Sequence, residues 1–594
     1  MRVSDFVTLA QKDETVYISD VEKAFDSLDD KTYIYLVMDL IEEGAQRDFG
    51  FYLPATFKDE RLISDFFYGK IYNIISTLGG RTLSIYYDTS NEKVAVLVKN
   101  LNLVFDIAEP RKRRKGYARG INVADRMNEV ICGGRFSFNI NDIKNKPSEV
   151  KRHVCEKPVL KYIKTVDSLS GLMCGIDIGG TDIKLAVSRD NQIVCFKEFD
   201  WFPASYPTIE EIVNPVLLLI RMLRVEATFR FLGGNELLRI LLDLALDKHA
   251  KFSDIEKCVS FGESLYKDRL LLFDGIGMCF PDVVIKNKIV GGEVSKVRAV
   301  RENPRLEFEE EFMKLNSLDV LLQKHCKPKG VVKITNDGPM AAYTAAVEIA
   351  YGKGESVVEQ GVFVHTLGTE LGTGWVNEEG EIPEIPMEAY NYVIDLGSYD
   401  QRKFEPDDLR SVKNFSTSLP GTVQKYTSQS GVFRLAIKYF LAERMDLYAE
   451  MVDKGFIVER DGGLYVPTKP KDLRKPFLEF VMSLPERENC PVCERIFREI
   501  GEFLAVTTIE TKRILEPKAK ERVLFGRLVK NKRCFRLMQE GASRILPDIK
   551  LSVADGDMAN TPLMKQLKVH PDYTVAQFAQ AVGSIYFAMS GRLG

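Results

Sequence analysis

Long apolar runs are missing from this sequence. None approaches the ~18 to 20 residues that cross a bilayer, so no membrane partner is expected. Charge of one sign is missing too: 82 Lys and Arg stand against 85 Asp and Glu, a net charge of -3. Such a balance gives no global drive toward nucleic acid or an anionic surface. Cysteine is sparse, ten residues in 594, with no regular framework. That excludes a fold built on disulfides and fits reduced thiols in a cytosol. Histidine is sparser still, five residues scattered along the chain, and suggests no metal site. The opening stretch MRVSDFVTLAQKDE carries no apolar leader segment, so a cytoplasmic location is expected. Internal repeats and low-complexity tracts are absent. What remains, 45% hydrophobic and 28% charged, is the composition of a globular protein able to bury large cores. At about 150 residues per domain, three or four structural units are expected.

The pattern along the chain changes near residue 170. Before it, residues 62–80 have helical periodicity and a glycine stop. Residues 82–108 read as strands around a turn at Thr89-Ser90-Asn91. Together they predict an N-terminal α+β domain over residues 1–170. The basic run RKRRK at 111–115 reads first as a solvated loop. After 170, strands alternate with helices, the signature of an α/β protein with ligands at strand ends. LMCGIDIG and DNQIVCFKEFDW read there as neighbouring strands joined by LAVSRD. The one CxxC, Cys490 to Cys493, has no second CxxC or nearby histidine to make a zinc site, and reads as incidental or structural thiols.

Three motifs carry chemistry. GIDIGGTDIK, residues 175–184, places Asp177 before a Gly179-Gly180-Thr181 turn. Backbone amides of such a turn and the Thr181 hydroxyl can hold a phosphate. Asp177 would repel a bare phosphate but suits magnesium, directly or through water. HTLGTELGTGWV, residues 365–376, repeats the idea with Gly372, Thr373 and Gly374. The two turns read either as a polyphosphate clamp or as unrelated hairpins. Between them, ITNDGPMAA puts Asp337 at a strand end before a helix. Asp337 reads as a base for a substrate hydroxyl or as a helix N-cap. His365 reads as a strand residue rather than a catalyst.

The order DIGGTDIK, DGIGMCFP, TNDGPMAA, LGTELGTG resembles the ROK family of sugar kinases, within the actin-like ATPase superfamily, over roughly residues 172–594. The resemblance implies a two-lobed actin-like, ribonuclease H-like fold: lobe 1 over 171–345, lobe 2 over 346–594, with the last helix packing back on lobe 1. It implies ATP and magnesium as cofactors and a sugar or polyol as partner. Asp337 matches the catalytic base and Asn336 a sugar ligand. Asp177, Gly179, Gly180 and Thr181 match the first phosphate loop, with Lys184 assigned to the nucleotide beside them. Gly372, Thr373 and Gly374 match the second loop, and Gly526 the adenosine turn. The family's sugar-binding positions fall on Glu388, Asn391 and Gln424.

The departures are specific. The family histidine is replaced by Asn391 and a family glutamate by Gln424. No cysteine lies between about 400 and 425, so no structural zinc is expected. Arg527 and Leu528 stand where the adenosine turn is usually glycine-rich, and would crowd a nucleotide. Two other functions stay open: a sugar-sensing transcriptional regulator and a catalytically silent actin-fold scaffold. No helix-turn-helix stands out in the first 60 residues, so nucleic acid is not an expected partner. A homodimer is compatible with the resemblance.

Overall fold

The computed structural model describes residues 2–56, 59–108, 114–152, 161–292, 295–369, 371–487, 490–554 and 558–593. It is an α/β protein whose chain divides into two compact units. One contains residues 1–154, 365–373 and 385–553; the other contains 155–364, 374–384 and 554–594. These units do not follow a linear division at 170 and 345.

The reason lies in how the N-terminal segment is held. A four-stranded sheet runs in the order Gln46–Pro54, Lys31–Asp39, Thr82–Tyr87, Ser137–Asp142. The helix Glu60–Leu78 packs Phe66 and Phe67 on Phe51 of that sheet. Asp59 caps its start through the Leu62 N–H at 2.8 Å, and Gly79 ends it at φ 61°. The same helix carries Lys70 and Asn73 to the long helix Pro491–Leu515. There the Lys70 Nζ lies 3.0 Å from Glu510 Oε1, and Asn73 Nδ2 donates to Glu510 Oε2 at 3.0 Å. Burial pushes the Glu510 carboxyl up, but Arg513, Lys70 and Asn73 outweigh it and hold it well below the usual range. Asp395 adds a second tie. It accepts from the Val16 N–H at 2.8 Å, the Ser398 hydroxyl at 2.6 Å and the Tyr426 hydroxyl at 2.6 Å. The N-terminal α+β segment therefore shares one core with residues 385–553.

Residues 92–99 correct the strand expected there. Asn91 caps a helix, Glu92–Lys99, whose apolar side chains Val94, Ala95, Leu97 and Val98 are buried. Spacings of one, three and four residues bury one helical face, and that tertiary gain overrides the β preference of valine. Residues 111–113 of the basic run lie outside the described residues. Arg114 is buried and ion-paired with Asp125 at 2.9 Å.

The second unit holds a five-stranded sheet in the order Cys326–Asn336, Phe273–Phe280, Leu172–Ile178, Asp182–Arg189, Gln192–Asp200. The last three strands are antiparallel; the first two run parallel to Leu172–Ile178. Parallel strands need crossovers, which helices supply here. This is the ribonuclease H-like strand order that the resemblance implies. LAVSRD is not a connection: it lies in Asp182–Arg189 and separates the two strands expected to be neighbours. A three-strand meander buried on its inner face explains the error, because its turns are short. The last helix, Val575–Leu593, lies so close to this sheet that a Cβ on Gly277 would sit 1.8 Å from the Ser584 carbonyl oxygen.

A four-stranded sheet has the order Leu371–Val376, Val362–Leu367, Glu521–Phe525, Lys550–Val553. This is the same succession short by one strand. The hairpin tip 365–373 belongs to the first unit and its flanks to the second.

Candidate active site

In the second unit, Asp177 lies opposite Lys184 on the antiparallel pair that leads into the glycine turn. The Gly179 N–H donates to the Asp182 carbonyl at 2.8 Å and closes the turn. Trp201 Nε1 donates to the Gly179 carbonyl at 3.0 Å and supports it from outside. A Cβ on Gly179 would lie 2.7 Å from the Asp182 carbonyl oxygen, so the glycine is required by close approach rather than by a left-handed backbone. Thr181 is exposed, and its hydroxyl donates to Asp182 Oδ2 at 3.2 Å. Lys184 is ion-paired with Asp182. The cation assigned to the nucleotide thus already has a carboxylate partner in the turn.

Asp337 opens the helix Asp337–Lys353 but does not cap it. Asn336 is the cap: its Oδ1 accepts from the Gly338 N–H at 2.9 Å and its Nδ2 donates to the Asp282 carbonyl at 2.6 Å. Both ends of the expected sugar ligand Asn336 are therefore engaged with backbone. The N-cap reading of Asp337 does not hold, because the N-cap position belongs to its neighbour. The Asp337 carboxylate Oδ1 accepts from the Gly338 N–H at 2.8 Å. Burial raises the Asp337 carboxyl above the usual range, against the pull of Lys296 and the Gly338 amide. Burial likewise pushes Asp177 up to about 6, with Asp337 adding repulsion while the Cys279 thiol and Lys184 oppose it. The Cys279 thiol donates to Asp177 Oδ1 at 3.1 Å.

Lys296 completes the cluster and was not anticipated. A Cβ on Gly180 would meet its Cε at 3.3 Å, so the lysine stem lies against the glycine turn. It is also the cation that acts on Asp337. Gly374 joins from the second motif, since a Cβ there would lie 2.0 Å from the Gly338 carbonyl oxygen. Asp177, Gly179, Gly180, Lys296, Asp337 and Gly374 all belong to the second unit.

The remaining expected residues belong to the first unit. Thr373 Oγ1 lies 3.3 Å from His365 Nδ1. Burial and Arg522 depress His365 to about 3, so it stays a neutral strand residue. A Cβ on Gly372 would meet the Thr366 side chain at 3.4 Å. Gly526 sits at φ 106°, and a Cβ there would meet the Leu367 carbonyl oxygen at 2.3 Å. Of the two residues beside it, Arg527 Nη1 lies 2.7 Å from Glu479 Oε1, and Leu528 is buried in the core.

Glu388, Asn391 and Gln424 come together, with Asn414 between them. Asn391 Nδ2 donates to Glu388 Oε2 at 3.2 Å, and Asn414 Nδ2 donates to Asn391 Oδ1 at 3.1 Å. Tyr390 donates to Glu388 Oε1 at 3.0 Å, and Gln424 Oε1 accepts from the Phe415 N–H at 2.8 Å. All of these except Tyr390 and Phe415 are buried. The Met387 and Glu388 amides donate to the Thr77 and Ser76 carbonyls of the Glu60–Leu78 helix, which seals this network from below. The segment between 400 and 425 is held by Arg402 on Asp65 at 2.7 Å and Arg410 on Asp408 at 2.7 Å.

No protein-family model matches the sequence, and no curated protein matches it. Solved structures similar to the chain include a ROK family glucokinase from Streptomyces griseus in complex with glucose and AMPPNP. It has 15% identity and a TM-score of 0.37, covering 71% of this chain and 100% of that one. A ROK hexokinase from Thermus thermophilus has 14% identity and a TM-score of 0.37, covering 71% and 100%. A glucokinase from Balamuthia mandrillaris in complex with glucose has 13% identity and a TM-score of 0.38, covering 73% and 97%.

Lys296 could not be found from sequence because it lies in a single 3-10 turn, Ser295–Val297, too short to show periodicity, 18 residues after the DGIGMCFP strand motif's Met278. Cys279 had a signal: it sits within that motif, on a strand parallel to Asp177 and in register with it.

Proposed function

We propose that the protein is an ATP-dependent phosphotransferase acting on a hydroxyl of a sugar or sugar-like substrate. The observation that carries this reading is the Asp337 carboxylate, half-buried at a strand end with its pKa raised, facing Lys296 beside a glycine turn. A base with a raised pKa is matched to taking a proton from an alcohol. Asp337 accepts the proton of the acceptor hydroxyl as that oxygen meets the γ-phosphate. Lys296 and the Gly180 amide of the glycine turn balance charge on the transferred phosphoryl group.

Asp177 and Asp337 offer hard oxygen ligands close enough for mutual repulsion. No cluster of three or more metal-ligating side chains occurs among the described residues. Two carboxylates suit magnesium, which keeps several waters and takes its other ligands from phosphates. Bound there, magnesium would supply charge neutralisation on the phosphate oxygens.

The test is ADP release from MgATP across hexoses, amino sugars and polyols, with Asp337→Asn alongside. Acceptor-dependent release that vanishes in the variant supports the reading. Nucleotide binding with no release for any acceptor contradicts it. The ionised carboxylates are the active forms, so kcat/KM should fall as pH drops below about 6, the Asp177 value. A limb near pH 4 would mean that neither buried carboxyl governs turnover.

A further inference from the structure

The CxxC that the sequence leaves as incidental sits in a distinctive place. Cys490 is the N-cap residue of the 25-residue helix Pro491–Leu515, with proline in its first turn. Proline lacks an N–H and suits that position, and the helix opens with the Glu494 N–H donating to the Cys490 carbonyl at 3.1 Å. Cys493 follows one turn later, so both sulfurs lie at the positive end of the helix. A cation adds to this: Arg444 Nη1 donates to Cys490 Sγ at 3.0 Å. Asp446 holds that guanidinium in a two-pronged pair, at 2.8 and 2.5 Å. The backbone N–H groups of Val492 and Cys493 and the Cys493 thiol also lie around the Cys490 sulfur.

The other buried cysteines have opposite surroundings. Cys174, Cys195, Cys258, Cys279, Cys326 and Cys534 are all pushed up by burial and stay thiols. At Cys490 burial acts in the same direction, but the Cys493 and Val492 groups and Arg444 outweigh it and hold the thiol below its ordinary range. The two sulfurs also differ in access. Cys490 is 6% exposed and Cys493 is 0% exposed, an outer and an inner thiol. Only a small oxidant fits that access. No disulfide links them in this structure.

We propose that Cys490 and Cys493 form a hydroperoxide-reactive dithiol, with Cys490 as the attacking thiolate and Cys493 as the resolving thiol. The Cys490 sulfur attacks the outer peroxide oxygen. An S–O bond forms, the O–O bond breaks, and the leaving alkoxide or hydroxide takes a proton. Cys490 is then a sulfenic acid. The Cys493 sulfur attacks it, forming S–S and breaking S–O; the hydroxide leaves as water with the Cys493 proton. Two thiols and one hydroperoxide become one disulfide, one alcohol or water, and one water. The two electrons pass from sulfur to the peroxide oxygens. A dithiol reductant restores both thiols by exchange. The site stands apart from the phosphotransferase reading and does not depend on it.

The test uses the reduced full-length protein and hydrogen peroxide. Trypsin places both cysteines in one peptide, ENCPVCER, where a disulfide appears as the loss of two hydrogens. Cys132 is exposed and serves as the internal reference thiol. At low peroxide, ENCPVCER should lose two hydrogens while Cys132 still alkylates, and dithiothreitol should reverse it. In Cys493→Ser, dimedone should label Cys490. In Cys490→Ser, Cys493 should stay unreacted. Arg444→Gln should slow oxidation about tenfold at pH 7, because losing the guanidinium lets the thiol rise and lowers the fraction of thiolate. Oxidation of Cys132 with ENCPVCER still reduced would overturn the proposal. So would undiminished reaction of Cys493 in Cys490→Ser.

Discussion

The acid pair of the second unit and the polar network of the first use the same kinds of residue in opposite ways. Asp177 and Asp337 sit at strand ends with raised carboxyls and a lysine nearby, and Asp337 adds repulsion at Asp177. Glu388, Asn391 and Asn414 are buried and their side chains hydrogen-bond one another, while the buried Gln424 holds the Phe415 backbone N–H through its Oε1. A buried polar group that is fully paired fixes a fold. A half-buried acid held above its ordinary pKa destabilises the fold and is available for chemistry. The difference teaches that residue type and motif position identify candidates, whereas partners decide which ones keep a reactive group.

Substitutions can break that contrast, and their effects should fall in the following order. Asp337→Asn should lower kcat by about 10²- to 10⁴-fold, the range for a lost general base, with nucleotide affinity nearly unchanged and the unfolding midpoint no lower than wild type. Glu510→Ala should act in the other way. It removes the carboxylate that Lys70, Asn73 and Arg513 share, leaving the buried Lys70 only Glu22, and should cost about 3–5 kcal/mol of stability in urea titration. Lys296→Met should reduce kcat/KM by about 10- to 100-fold, somewhat less than a fully preorganised donor. It should also move the acid limb upward, because Lys296 lowers the Asp337 pKa. Asn391→Ala should cost about 1–3 kcal/mol by stranding Asn414 and Glu388. A KM increase with unchanged stability would instead make Asn391 a substrate ligand.

The smallest effect is a pH dependence. Asp177 has a folded pKa of about 6, above the ordinary carboxyl value of 3.8. The folded state therefore holds that proton more tightly, and this carboxyl favours folding at low pH. Its contribution should be lost as pH rises from about 4 to about 6. Asp177→Asn removes this component, so the variant should gain on wild type in midpoint across that window while losing activity. An unchanged difference across the window would show that Asp177 titrates normally.

Much of the second unit was legible. The glycine turn, the strand into Asp337 and the alanine-rich helix after it are local patterns, set by residues within a dozen positions. The Asn336 cap was also written locally, though its neighbour had seemed the better choice for chemistry. Illegible features were those made by distant partners. Lys296 reaches Gly180 across 116 positions, with no spacing rule to mark it. Glu388 is joined to Asn391 and Asn391 to Asn414, and the backbone beneath them is held by a helix more than 300 residues away. The helix Glu92–Lys99 was misread because valine prefers strands until one buried helical face overrides it.

The measurement that tests the contrast most directly pairs two variants, Asp337→Asn and Asn391→Ala, in acceptor-dependent ADP release and in urea unfolding. The account predicts a crossed result. Asp337→Asn should lose turnover and keep or raise its midpoint, while Asn391→Ala should lower the midpoint and keep kcat at temperatures where it is folded. Full turnover in Asp337→Asn, or an Asn391→Ala enzyme as stable as wild type with a raised KM, would contradict it.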